Sequence, residues 1–550
     1  MGIPSYFSYI IKNHSNIIRS WRFHREKKRT RFSSLYMDCN SIIYDVVRKM
    51  ESDPELSKHI TNDRIIDGVI SKIRYYAKII EPTNVMYVAF DGVAPFAKME
   101  QQRIRRYKNG YLSAVDFEHD NGALSLTKSS SKWNTSAITP GTDFMTALSA
   151  KVRRAFSDDK RTGGAKTVIV SPSDEAGEGE HKMFQYMRDH ALKDESIAVY
   201  GLDSDLIMLS LFHCFACDNI YIFRESPSFG KAILQGQFGE DELIFLDNRD
   251  LSKAILKEMG VMSEANDARG RIYDYIFMCF LLGNDFLPHF PALNIRTHGN
   301  FTALETYKRI IGNRQDRRFI GLETGNIQWR WVKAFLQELS KSEPRLILEE
   351  YDSRSKMESR FYPTTTKQER ETAFDNIPVI YRAEEHYINP RERGWESRYY
   401  RVAFHLDEPP EKTFVSEVCH NYLEGLEWVF KYYTEGCPHW RWKYRYHYPP
   451  LFKDLVEFVP NFETEFINSN SGINRPFKQQ TQLAYVIPIW NNGLLSEKTN
   501  AAIKKLGMEK YYTECGELKF QWMFCRYFWE AHALLKEHPL AELEKLDALL

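Results

Sequence analysis

The chain has 550 residues, 43% hydrophobic and 14% aromatic, enough apolar material for a large core in two or more lobes of a soluble globular protein. Its 74 basic and 74 acidic residues cancel, which removes the global positive charge of many nucleic-acid binders and leaves only local surfaces for that role. No apolar run reaches the roughly eighteen residues of a membrane span, and Met1 to Ser20 is polar throughout, so neither a span nor a secretory signal is expected. Eight cysteines without repeated spacing predict reduced thiols in an intracellular, cytoplasmic protein, and Cys214-x-x-Cys217 lacks the second pair that a zinc site needs.

In chain order, short apolar segments at 35–37, 85–90, 167–170, 197–202 and 219–223 predict strands. Segments of helical period at 41–50, 63–80, 143–155, 179–192 and 271–282 predict helices. That rhythm gives the fold class: α/β, a mostly parallel sheet flanked by helices, followed by an aromatic-rich, mainly helical C-terminal region. Between Asn109 and Thr139 the sequence turns polar and Ser-rich, as expected of a mobile loop, and a second polar stretch runs from about Ser353 to Arg391. Leu535 to Leu550 has the pattern of an amphipathic terminal helix used for packing.

Acidic residues recur where these segments end. Asp38 follows Leu35 to Met37, Asp91 follows Val85 to Phe90, and Asp203 and Asp205 follow Ile197 to Leu202; Glu178 with Glu180 and Asp285 complete a set of seven. In a parallel sheet the carboxyl ends of the strands gather along one crevice, which puts Asp38, Asp91, Asp203 and Asp205 on a common edge. Two carboxylates 4 Å apart repel by about 4 kcal/mol at an effective dielectric near 20, so seven cannot share a pocket as bare anions. Hard oxygen ligands in that number call for two Mg²⁺ or Mn²⁺ ions, the usual apparatus for attack of water on a phosphodiester. The residues alone therefore predict a metal-dependent nuclease.

Two basic stretches are candidates for contact with nucleic acid. One is Arg19 to Arg31; the other runs from Lys98 to Lys108. If 95–108 is helical, Lys98, Gln102, Arg105 and Arg106 fall at i, i+4, i+7 and i+8 on one face, where they can clasp a terminal phosphate.

Seven motifs now stand in order behind the opening Met1-Gly2-Ile3-Pro4. They are Tyr36-Met37-Asp38-Cys39-Asn40, Phe90-Asp91-Gly92-Val93-Ala94-Pro95, Lys98-Met99-Glu100-Gln101-Gln102-Arg103, Ile138-Thr139-Pro140-Gly141-Thr142, Gly177-Glu178-Gly179-Glu180-His181-Lys182, Gly201-Leu202-Asp203-Ser204-Asp205 and Gly283-Asn284-Asp285-Phe286. Farther on come Gly394-Trp395-Glu396-Ser397-Arg398 and the aromatic stretch from Gly425 through Trp440-Arg441-Trp442 to Tyr448. Together they resemble the Xrn-type 5′→3′ exoribonucleases, over nearly the whole chain.

That resemblance implies an N-terminal α/β nuclease domain over 1–340, a polar connecting segment over 341–393 and a second conserved region over 394–550, without the long C-terminal extensions of larger members. It makes the seven carboxylates metal ligands and assigns Lys98, Gln102, Arg105 and Arg106 to a 5′-monophosphate. It also assigns base stacking to a ring after the first aspartate, here Tyr44 where the family has histidine, and to Trp440 or Trp442. Phe96 stands at a position usually basic in the family and Ser41 at one usually glycine. The implied partners are single-stranded RNA bearing a 5′-monophosphate and decapping enzymes, acted on by a monomer. A structure-specific flap endonuclease on DNA is the nearest alternative, disfavoured by the Gly-Glu-Gly-Glu-His motif and the long aromatic region. An inactive RNA-binding scaffold is the other, disfavoured because mutually repelling acids are costly to keep together without use.

Overall fold

A computed structural model describes residues 3, 5–28, 30–115, 117, 133–157, 164–190, 193–217, 219–226, 238–239, 242–261 and 265–550. Seven strands form one sheet: β1 (Ile18–Ser20), β2 (Ser34–Asp38), β3 (Val85–Ala89), β4 (Thr167–Ser171), β5 (Ser196–Tyr200), β6 (Asn219–Glu225) and β7 (Leu243–Asp247). Their spatial order is β1-β7-β6-β5-β2-β3-β4. The five strands from β6 to β4 are parallel, and β7 and β1 extend the sheet by antiparallel pairing. The sequence pattern predicts those five. It misses β1, three residues long and too short for a period, and β7, a five-residue apolar run that periodicity alone cannot assign.

Strands buried on both faces read as continuous apolar runs, and here the alternation divides one core from another. Tyr36 pairs with Tyr87 and Val199 in register, and all three enter one hydrophobic cluster; Met37 pairs with Val88 and Tyr200, which enter the other. The first face is covered by α1 (Tyr6–Asn13), α6 (Gly179–His190) and α7 (Asp205–His213). The second is covered by α2 (Asn40–Ser52), α3 (Asn62–Ile80) and α5 (Asp143–Phe156). Thr61 and Thr142 cap α3 and α5, their hydroxyls accepting from the amides of Arg64 and Met145. The chain runs from β2 outward to β4 on one side and resumes at β5 on the other. The switch point therefore lies between β2 and β5, where the ends of these strands open a crevice.

The helix expected over 95–108 is longer, α4 (Phe96–Ala114), so the first residues of the expected 109–139 loop are helical, and Thr135–Ala137 forms a 3₁₀ turn. Residues 116 and 118–132 of that loop lie outside the described residues, as do Met1, Gly2, Pro4 and Arg29. The helix Trp329–Glu358 runs through the boundary expected at 340. Three shorter helices follow before 393: Lys367–Asp375, Ile377–Ile380 and Ala383–Ile388. In that span Arg354 and Arg382 are buried and share the carboxylate of Glu385. The terminal helix is Leu540–Leu549, and it packs Leu543 and Leu546 with Phe96 and Met99 of α4. No helix among the described residues is long and apolar enough to cross a membrane.

Candidate active site

Each acid stands where the fold turns out of the sheet. Asp38 is the last residue of β2, Asp91 follows β3, Glu178 and Glu180 open α6, and Asp203 and Asp205 follow β5 at the start of α7. Asp285 arrives from the loop after the 3₁₀ turn Phe280–Leu282. Oxygens of Asp38, Asp91 and Glu180 lie within 4.8 Å of one another, and so do ligand atoms of Glu178, Glu180 and His181. Such close approach requires small neighbours. A Cβ on Gly179 would stand 2.9 Å from the Asp38 carboxylate, and its amide donates to Asp91 Oδ1 at 2.7 Å.

The electrostatics follow from this crowding. Burial pushes Asp38 well above the usual carboxylate range, and Asp91 and Asp203 add to the shift. Burial does the same to Glu180, reinforced by Glu178, and raises Asp205 to about 7 with help from Asp285. Asp285 goes the other way: burial would raise it, but Lys98 holds it below its ordinary value. The Lys98 ammonium donates to Asp285 at 2.8 Å, is paired with Glu178, and is held well above the usual lysine range by those acids against the opposing effect of burial. A buried set of hard oxygen donors that raise one another's proton affinity fits a divalent cation, which would replace those protons.

A second layer holds the acids. Asn40 donates to Asp91 Oδ2 at 2.6 Å and accepts from the Asp91 amide at 3.1 Å. From the helix Lys412–Thr434, Tyr432 donates to Glu178 at 2.8 Å and Tyr433 to Asp205 at 2.5 Å, while the His181 ring stacks on Tyr432 at 3.7 Å. Burial, then the charge of Lys98, keeps His181 well below its ordinary pKa and hence neutral. Sequence reasoning misses these partners. Asn40 and His181 lie inside quoted motifs and carry a signal, whereas the two tyrosines come from about 250 residues away and look like core aromatics. Replacing Tyr433 with Phe leaves the fold intact and weakens metal affinity about tenfold, as read by titration of a divalent ion against melting temperature.

The four residues expected to clasp a phosphate part company along α4. Lys98 faces the acids. Gln102 is buried and accepts from Gln482 at 3.4 Å; Arg105 lines a cleft; and Arg106 donates to the carbonyls of Ser136 and Ile138 at 3.5 and 3.1 Å, with Tyr44 among its neighbours. That cleft, of about 1220 Å³, is also lined by Asp203, Asp285, Lys443, Arg445 and Trp529. Tyr44 is half-buried on α2. Trp442 is buried and stacked on Trp428 at 5.1 Å; Trp440 is more exposed, its carbonyl accepting from the Phe96 amide at 3.0 Å. Phe96, where a basic residue was expected, packs on Phe477 and Tyr485, with the Lys443 ammonium 5.1 Å from its ring.

Comparison with known proteins adds a separate line. The family model described as XRN 5'-3' exonuclease N-terminus matches residues 1–226, and that of the Xrn1 helical domain matches 266–389 and 381–501. The chain is 26% identical to a chicken (Gallus gallus) 5'-3' exoribonuclease 2 over 620 aligned positions, covering 90% of this chain and 64% of the relative. It is 27% identical to a human 5'-3' exoribonuclease 1 over 543 positions (90% and 31%) and 24% identical to the Saccharomyces cerevisiae 5'-3' exoribonuclease 1 over 626 positions (90% and 40%). The chain thus spans 31% to 64% of the length of these relatives.

Proposed function

This chain belongs to the Xrn family of 5′→3′ exonucleases, and we propose that it is a processive exoribonuclease. In this reading it admits single-stranded RNA with a 5′-monophosphate and releases nucleoside monophosphates. The observation that carries the reading is the convergence of buried carboxylates at the switch point of the sheet, beside a cleft walled by cations. Asp38, Asp91, Glu178, Glu180, Asp203, Asp205 and Asp285 would hold two divalent ions, Mg²⁺ or Mn²⁺, which when bound would supply the Lewis acidity for hydrolysis of the phosphodiester. The chain needs no protein nucleophile.

Its own residues orient. Asn40, the Gly179 amide, Tyr432 and Tyr433 fix the carboxylates of Asp91, Glu178 and Asp205 before substrate arrives. Lys98, Gln102, Arg105 and Arg106 set the register by holding the 5′-phosphate. A 5′-hydroxyl would deny the Arg105 guanidinium in the cleft the anion it is proposed to hold, and a triphosphate or cap would exceed a pocket for one phosphate. Tyr44, with Trp440 or Trp442, stacks on the leading bases, which tolerates any sequence. The eight cysteines are free thiols, which fits a reducing intracellular compartment, the cytoplasm, where decapping enzymes would generate the substrate for a monomeric nuclease.

The test compares 3′-labelled RNAs carrying 5′-monophosphate, 5′-hydroxyl and 5′-triphosphate ends, with metal and with EDTA. Rapid loss of the first alone, and only with metal, is expected. Equal decay of all three removes the end pocket, and products cut inside the strand point instead to a flap-type endonuclease.

A further inference from the structure

The cleft has a wall to which the acids and α4 do not contribute. Trp529 and Glu530, in the 3₁₀ turn Phe528–Glu530, line part of it. Here the Tyr527 and Trp529 rings stack with centroids 6.1 Å apart at 16°. The Arg296 guanidinium lies 5.8 Å from the first ring and 5.7 Å from the second, and the Arg526 guanidinium lies 4.4 Å from Tyr527. Trp529 lines the cleft and is 38% exposed, an unusual position for a large indole in a chain whose other aromatic rings are mostly buried.

The platform is rigidly mounted. Arg296 pairs with Glu530 at 2.7 Å, and the Arg526 amide donates to the same carboxylate at 3.0 Å. From α4, the buried Lys108 ammonium donates to the carbonyls of Trp529 and Ala531, at 2.5 and 2.8 Å, so the turn is bolted to the helix that also carries Arg105. Because Lys108 grips backbone, the indole is not needed to hold the turn. Its exposed face is left available.

A rigid aromatic face flanked by guanidinium groups, in a cleft shared with Arg105, Lys443 and Arg445, has the composition of a stacking site for single-stranded nucleic acid. We propose that Trp529, backed by Tyr527 and Arg296, is an outer platform on which a base of the incoming RNA stacks downstream of the hydrolysed end. This rests on the reading that the cleft takes RNA. It adds a contact that neither the sequence motifs nor the stacking residues named above supply. Its role is to keep the strand in the cleft between successive cuts, whatever the base.

The test uses 5′-phosphorylated RNAs with 2-aminopurine at successive positions, bound to the full chain in EDTA, alongside steady-state hydrolysis with metal. In the unaltered protein, fluorescence is quenched at one interior position as well as at the leading end. Trp529→Ala relieves the interior quenching alone, raises KM about tenfold and shortens processive runs, while Trp529→Phe keeps most of both. Interior quenching and KM unchanged in Trp529→Ala, with normal hydrolysis by the unaltered protein, overturn the platform and leave the exoribonuclease reading standing. Loss of quenching at every position, matched by a lower melting temperature, also overturns it, because the indole then serves packing. Absence of RNA binding and hydrolysis in the unaltered protein defeats both.

Discussion

Asp203→Ala and Asp205→Asn each reduce turnover of 5′-phosphorylated RNA by at least ~1000-fold, about 4 kcal/mol of lost transition-state stabilisation. Asp203 lines the cleft beside Asp285, and Asp205 begins α7 with its carboxylate held by Tyr433. Neither substitution removes a cation, so RNA affinity measured by anisotropy in EDTA stays within a few-fold of the unaltered value. Asn at 205 keeps the size of the side chain and an oxygen for the tyrosine hydroxyl, which separates loss of charge from loss of packing. Turnover within about tenfold of the unaltered protein would take these residues out of the mechanism. It would favour the scaffold alternative, in which the acids have no chemical task.

The second large effect is on stability. Mg²⁺ or Mn²⁺ at a hundredfold excess over its dissociation constant contributes about 2.7 kcal/mol per site, because only the folded chain gathers the ligands. The gain grows with pH, and the sign follows from the shifts. Burial and mutual repulsion raise Asp38 and Glu180 well above their ordinary values and Asp205 to about 7. A carboxyl raised on folding binds more protons in the folded state. Its contribution is complete below the unfolded pKa, near 4, and is lost as pH rises through the folded value. Without metal the protein therefore loses stability between pH of about 4 and 7, and bound cations restore it by taking the place of the protons. Asp285 is lowered and acts in the opposite sense, but below that window. Melting curves at mildly acid and mildly alkaline pH, with and without metal, check this. An equal metal-induced rise at both, or none, counts against a shared carboxylate site.

The parts of the fold that were legible share a cause. A buried parallel strand needs a short apolar run and an amphipathic helix a 3.6-residue period, both local properties, so β2 to β6 and the helices α2, α3, α5 and α6 could be read directly, whereas α7, buried all round and without a polar face, could not. Loops at strand ends then put Asp38, Asp91, Asp203 and Asp205 on one edge by topology alone. β1 was missed because three residues show no period, and β7 because a five-residue apolar run does not by itself distinguish strand from helix. The helical content of 341–393 was hidden because its polar residues are matched in space, as Arg354 and Arg382 are by Glu385.

The helical-face reading of Lys98, Gln102, Arg105 and Arg106 illustrates the limit. Spacing gives a common side of α4, but that side meets three environments at once: acids at Lys98, the helix Gln479–Val486 at Gln102, and the Ser136–Ile138 turn at Arg106. Periodicity describes one helix and carries no information about what is packed against it.

The sequence by itself determined the α/β class and the common edge of Asp38, Asp91, Asp203 and Asp205, since strand and helix periods and the order of elements are written residue by residue. Only the tertiary structure decided which acids meet within ligand distance, that Lys98 bridges Glu178 and Asp285, and that Tyr432 and Tyr433 steady the carboxylates. Those contacts join residues up to some 250 positions apart, and their energies depend on burial and separation, which exist only once the chain has closed on itself.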